Sequence, residues 1–148
     1  MELETKYFGI VDVEPDAIFT FPYGLPGFPD EKEFLLLPSG EDSPFIIMQS
    51  TTTPETAFIT VEPWGWFSDY SMDTILKAKT YVPTDTTEHL LVLVIARIPE
   101  DVQQATVNLL APILINKQKK IAEQLQLSVS KYSIRHPLFQ APNEEGIG

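Results

Sequence analysis

Leu90-Leu91-Val92-Leu93-Val94-Ile95-Ala96 is the longest uninterrupted aliphatic run in the chain, and its reading decides the fold. Seven residues fall far short of the ~20 that a membrane-spanning helix needs. The run therefore reads as a strand, and because no polar residue alternates with the apolar ones it must be covered on both faces. That places it at the centre of the molecule.

Outward from this strand, thirteen prolines and seven glycines divide the sequence into short runs rich in Val, Ile, Leu, Phe and Thr. Strands are expected at Leu3–Phe8, Gly9–Val13, Ile18–Phe21, Phe34–Leu37, Phe45–Gln49, Ala57–Val61, Leu90–Arg97, Gln104–Leu109, Ile113–Asn116 and Gln124–Val129. The strand at Phe45 should stop at Thr51-Thr52-Thr53-Pro54, where threonines bond their own backbone and proline withholds a donor. One short helix is expected from Met72 to Lys79, with Asp73 capping its first turn and Ile75, Leu76 and Lys79 at helical spacing. Across Lys117–Leu127, Ile121 and Leu125 fit a helix, whereas Gln124–Val129 alternates like a strand. A hairpin with Lys117–Lys120 as its turn is the favoured reading. The fold class that follows is mainly β: a small closed or partly open β-barrel of about ten short strands with one short helix, since closure removes exposed edges.

With 148 residues and 43% hydrophobic content, the chain suits one domain over residues 1–148, with about 138–148 as a frayed tail. It has no cysteine, which excludes disulfides, thiolate metal sites and thiol catalysis and fits a reducing cytoplasm. Met1 to Thr5 is acidic and polar where a secretory signal is basic and then apolar. A cytoplasmic location is expected. The net charge of −11 repels phosphate backbones and anionic lipid, so neither nucleic acid nor membrane is an expected direct partner, and a basic protein is. Residues 1–45 hold ten Asp/Glu against two Lys, so the negative field originates mainly in the N-terminal third.

Catalytic chemistry finds no support. The two histidines, His89 and His136, have no second ligand at metal-binding spacing, and Glu88 faces away from His89 if the segment is a strand. No nucleophile elbow, phosphate loop or dinucleotide fingerprint occurs, and the acid pairs sit in turns without the alternating oxygens of a calcium loop. No catalytic residue, metal or cofactor is expected, and the protein reads as a binding protein rather than an enzyme.

The candidate binding surface is Pro63-Trp64-Gly65-Trp66-Phe67-Ser68-Asp69-Tyr70, four aromatics in a loop flanked by acids. Exposed rings ringed with charge dominate interface energies, so Glu62, Trp64, Trp66 and Asp69 are assigned to partner binding. The rim acids Asp30, Glu31, Glu41 and Asp42 join them for charge. The same rings can instead close one end of the barrel, with one tryptophan inside and the other out. A different class of reading is a small-molecule-binding barrel with an aromatic-lined mouth.

Tyr23-Gly24-Leu25-Pro26-Gly27-Phe28, Pro44-Phe45 leading to Gln49-Ser50, Pro54 with Ala57-Phe58, and above all Thr106-x-Asn108-Leu109-x-Ala111-Pro112-Ile113-x-Ile115-Asn116 together resemble the FliW family. The resemblance covers nearly the whole chain and departs at Ala122, where glycine is expected. It implies a flagellar assembly factor that binds flagellin and, when flagellin is exported, the translational repressor CsrA; a monomer is expected. In the motif itself, Gly24 and Gly27 suit a tight turn with positive φ, Phe28 is placed to plug the barrel, and Asn108 and Asn116 can satisfy backbone groups at strand ends or bulges.

Overall fold

The computed structural model describes residues 1–139. Eleven strands and one helix follow in order: β1 Glu2–Thr5, β2 Gly9–Asp12, β3 Phe19–Thr20, β4 Glu33–Pro38, β5 Ile46–Ser50, β6 Ala57–Val61, α1 Met72–Ala78, β7 Leu90–Arg97, β8 Thr106–Val107, β9 Ile113–Asn116, β10 Ile121–Gln124 and β11 His136–Pro137. Seven of them, β7-β6-β5-β4-β3-β10-β9, close into a barrel when β9 returns to pair with β7. Every junction is antiparallel except β3 with β10, which meet in parallel at Thr20 and Ile121. β8 and β11 extend the sheet beyond β7, and β1–β2 form a separate hairpin.

Strand β7 explains the apolar run. Its odd residues Leu91, Leu93 and Ile95 turn into the barrel with Phe19, Phe21, Phe34, Met48, Ile113 and Ile115. Its even residues Val92, Val94 and Ala96 turn outward into a second core with Val61, Tyr70, Ile75, Val82, Leu109 and Leu114. Two cores share one strand, so no polar alternation is possible. The barrel interior is filled by side chains: Phe21, Phe34, Met48 and Leu93 are 0% exposed. A small-molecule-binding barrel therefore loses its chamber.

Helix α1 lies on the outer core through Ile75. Its cap is Ser71, whose Oγ accepts from Thr74 N–H at 3.4 Å, and not Asp73, which sits in the first turn where its charge favours the helix dipole. At two turns the helix is too short to persist alone, so burial of Ile75 holds it.

The hairpin β9–β10 has Lys117–Lys120 as its turn. Asn116 builds that turn: its Oδ1 accepts from Gln118 and Lys119 N–H at 3.0 and 2.9 Å, its Nδ2 donates to Pro83 O at 2.8 Å, and Lys120 takes φ 59°. The strand itself is Ile121–Gln124, not Gln124–Val129. Leu125 and Leu127 do turn inward as alternation demands, but they face an irregular stretch in place of a ladder.

That stretch is the longest motif of the sequence. Between Ala96↔Val107 and Leu93↔Ile113 the partner of β7 carries three extra residues, a bulge over Asn108–Pro112. Asn108 Oδ1 accepts from Leu110 N–H at 3.1 Å. Four of the bulge's five carbonyls are taken: Leu109 by the Tyr70 hydroxyl at 2.8 Å, Leu110 by Leu127 N–H at 2.8 Å, Ala111 by Gln124 Nε2 at 3.1 Å, and Pro112 by Leu125 N–H at 2.8 Å. The bulge also shortens the expected Gln104–Leu109 strand to β8, preceded by a 3-10 turn at Val102–Gln104 that Asp101 caps.

Gly24 and Gly27 both take positive φ, 72° and 83°. At Gly24 a Cβ would also collide with the Pro29 backbone, so only glycine fits. The barrel is plugged from this loop by Leu25, 3% exposed, while Phe28 is 44% exposed and rests edge-on against Phe58 at 5.5 Å. Past His136 the chain is still anchored, since Leu138 is buried and Phe139 packs on Trp66 at 5.5 Å. Residues 138 and 139 of the expected frayed tail are thus packed, and the rest of it, 140–148, lies outside the described residues.

Candidate partner-binding surface

The aromatic loop follows β6, where Pro63 O receives Trp66 and Phe67 N–H at 3.1 and 3.0 Å and turns the chain. That turn separates the rings. Phe67 and Tyr70 go inward, Trp66 lies half-buried on the outer core, and Trp64 stands 37% exposed with its ring 5.9 Å from that of Tyr70. Tyr70 packs in turn against the tilted ring of Tyr132 at 5.1 Å, and His136 meets Phe67 and Tyr132 edge-on at 5.4 and 6.2 Å. Burial, then the neighbouring Tyr132, pushes the Tyr70 hydroxyl far above the ordinary phenol range. It stays protonated and donates to Leu109 O.

Glu62 and Asp69 both lie exposed beside these rings. Asp69 is paired with Lys131 at 2.8 Å, which lowers its pKa and keeps its charge partly answered. Glu62 has no cation within ion-pair reach among the described residues. The sequence reading grouped four further acids, but the fold divides them. Register between β5 and β6 sets Ile46 opposite Thr60, so the turn carrying Glu41 and Asp42 lies at the Glu62 end. Asp30 and Glu31 precede the other end of β4, five residues away from Pro38, or about 17 Å at ~3.3 Å per residue. Only Glu41 and Asp42 share an end with the aromatic loop.

Glu31 moreover has structural work. Its carboxylate accepts from the hydroxyls of Ser50, Thr52 and Thr53, at 2.5, 3.3 and 2.6 Å, and those bonds, Ser50's first, hold its pKa below the usual value. The threonine run thus spends Thr52 and Thr53 on Glu31, while Ser50 Oγ receives Thr52 and Thr53 N–H at 3.1 and 3.0 Å. His89 and Glu88 approach to 3.5 Å because they occupy a turn and not the strand that would have set them apart.

Two features escaped the sequence reading. The hairpin β1–β2 turns Glu2, Glu4 and Asp12 outward, with Ile10 exposed among them and Lys6 N–H tied to Gln49 Oε1 at 3.0 Å. Its period-two pattern and acids were legible, its placement as a separate sheet against the barrel was not. Glu123, 4% exposed, accepts from Thr80, Tyr81 and Val82 N–H at 3.0 Å each and from the Thr80 hydroxyl at 2.5 Å. Burial raises its pKa, and these bonds outweigh that and leave it lowered. Nothing in its sequence context marks a buried carboxylate, because its donors come from about forty residues upstream.

Among the described residues no group of three His, Asp or Glu could hold a metal ion, and no helix is long and apolar enough to cross a membrane. A side-chain-filled barrel that carries an aromatic loop over an acidic surface defines a protein that presents surfaces rather than a chamber. The comparisons with known proteins then narrow the class. The FliW protein family model matches residues 2–138. The flagellar assembly factor FliW of Heliobacterium modesticaldum is 37% identical over 141 residues, covering 95% of this chain and 92% of that one. That of Bacillus subtilis strain 168 is 37% identical over 138 residues, covering 93% and 96%. A crystal structure of the flagellar assembly factor FliW aligns with a TM-score of 0.81 at 33% identity, covering 95% of this chain and 99% of that one. The chain belongs to the FliW family of flagellar assembly factors.

Proposed function

We propose that this flagellar assembly factor is a partner switch, a non-catalytic monomer of one domain that binds flagellin and, when flagellin is exported, binds the translational repressor CsrA and so permits flagellin translation. The observation that carries the reading is Trp64, a tryptophan 37% exposed and packed on the Tyr70 ring, with Glu62 beside it and in no ion pair among the described residues. Such a ring loses little freedom on binding and gains large contact area. The net charge of −11 favours a basic repressor as partner and repels its RNA, so the protein itself contacts no nucleic acid and no membrane. No cofactor enters the switch, which works in the cytoplasm where both partners are made.

Titration calorimetry with purified flagellin and purified CsrA tests it. Saturable binding to each, with flagellin reducing the fraction of repressor bound, is the expected result. Absence of binding to both would end the reading.

A further inference from the structure

Arg97 and Arg135 are the chain's two arginines, and the fold brings both to one hollow. Across β7, β8 and β11, Ala96, Val107 and His136 stand in one row and Arg97, Thr106 and Pro137 in the next. Ala96 and Val107 turn into the outer core, so Arg97 and Thr106 turn to the opposite face. Arg135, one residue before His136, shares that face. The hollow between them measures about 240 Å3 and has Thr106, Asn108 and Ile134 on its walls.

Three observations mark this place as unfinished. Among the described residues neither arginine has a carboxylate in ion-pair reach, although the chain carries 21 acids. Thr106 Oγ1 and Asn108 Nδ2 face solvent with no protein partner among the described residues and so are free to bond a ligand; Asn108 is bonded through Oδ1 alone. Ile134 beside them is 62% exposed.

The hollow also continues. A second of about 450 Å3 shares Asn108 and Ile134 and reaches Pro26, Gln124 and Gln126. A third of about 600 Å3 shares the last three and is lined at its end by Glu123 and by the Tyr23 and Tyr81 rings, which meet edge-on at 5.3 Å. Through β9, Glu123 lies level with Val92, five residues from Arg97 along β7 and two strands across, or about 19 Å at ~3.3 Å per residue and ~4.8 Å per strand. That is the length of an extended segment of about five or six residues.

We infer that this trough docks an extended segment of a partner protein bearing one Asp or Glu side chain, with the carboxylate seated between Arg97 and Arg135 and an apolar neighbour against Ile134. The inference rests on the reading that the protein acts by binding other proteins, but it uses none of the aromatic-loop residues. A single carboxylate fits the guanidinium fork, whereas a polyanion would meet the repulsion of the whole acidic molecule.

The test offers the full chain to an array of N-acetylated, C-amidated heptapeptides varied at every position. Asp or Glu should be selected at one position, with binding at least tenfold tighter than the Asn or Gln version by fluorescence anisotropy. Arg97→Gln with Arg135→Gln should abolish that tenfold, and Arg135→Glu alone should turn the preference toward Lys. Trp64→Ala should leave the selection intact while weakening flagellin or CsrA, which separates failure here from failure of the switch. No acidic selection, or selection that survives both arginine variants, overturns the inference. So does an acidic selection that appears only in a chain ending at Phe139, which would assign the trough to the chain's own Glu144 and Glu145.

Discussion

Tyr70 donates its hydroxyl to the carbonyl oxygen of Leu109 at 2.8 Å, joining the aromatic loop to the bulge that lets β8 and β9 share one edge of β7. The bond is buried, and Leu109 O has no other hydrogen bond among those described. Tyr70→Phe keeps the ring stack and removes only the donor, so the cost is that of a stranded carbonyl, about 1–3 kcal/mol. Urea unfolding at pH 7 should show that loss with an unchanged m-value. Unchanged stability would mean the bulge does not depend on the loop.

Glu123 should govern the acid limb of stability. Its pKa lies below its ordinary 4.5 in the folded state because Thr80, Tyr81 and Val82 donate to the charged form despite burial. A lowered carboxylate pKa contributes stability that is present above the unfolded value and lost as pH falls through the folded one. The loss therefore begins near pH 4.5 and deepens below it. Glu123→Gln should cost about 2 kcal/mol at pH 7, as charge-assisted bonds become neutral ones. The variant's stability should also be flatter between pH 5 and 3 than the parent's. Parallel pH curves for the two proteins would rule out the role.

How far the sequence carries depends on whether a residue's partner is near it in the chain. β6, β7 and β9 lie where their apolar patterns place them, to the residue, because each strand's burial is written in its own side chains. The hairpin turn at Lys117–Lys120 is local as well. Gln124–Val129 misleads because Leu125 and Leu127 do alternate into the core, yet their partner is the Asn108–Pro112 bulge, whose three extra residues no periodicity displays. The candidate site divides in the same way. Trp64 and Trp66 were recognisable as a pair with unequal fates, since a glycine between them splays the rings. Glu31 was indistinguishable from Asp30 until Ser50 and Thr53, about twenty residues on, folded over it.

The two tryptophans should therefore separate binding from stability. Trp64→Ala removes a ring that is 37% exposed and packs on Tyr70, so it should cost about 1–2 kcal/mol of stability and in addition weaken flagellin or CsrA binding by about 2 kcal/mol or more. Trp66→Ala removes packing from the outer core and from Phe139, and should cost about 1–3 kcal/mol of stability, below the full range for a buried tryptophan because the ring is only half covered. Calorimetric binding and denaturant curves on both variants distinguish the effects. If Trp64→Ala binds both partners as the parent does, the loop is only a closure of the barrel's end.

Charge gives the last separation, and the fold changes which acids should matter. Glu41 and Asp42 stand exposed at the end of the barrel that carries Glu62 and Trp64, so under the proposed switch they are the acids expected to steer a basic repressor toward that ring. Steering acts on the association rate and weakens as salt shortens the Debye length from ~10 Å at 0.1 M to ~3 Å at 1 M. Glu41→Gln with Asp42→Asn should therefore slow CsrA association at low salt and reduce its salt dependence, leaving the dissociation rate near the parent's. Asp30→Asn, at the far end, should do so less. Glu31→Gln should behave differently again: it loses the bonds from Ser50 and Thr53, so its effect should be a stability loss of about 1–2 kcal/mol. Stopped-flow association over a salt series decides among them. An on-rate that ignores both salt and the Glu41 and Asp42 changes would reduce the acidity of this surface to a matter of solubility, while Trp64 would keep its place as the anchor.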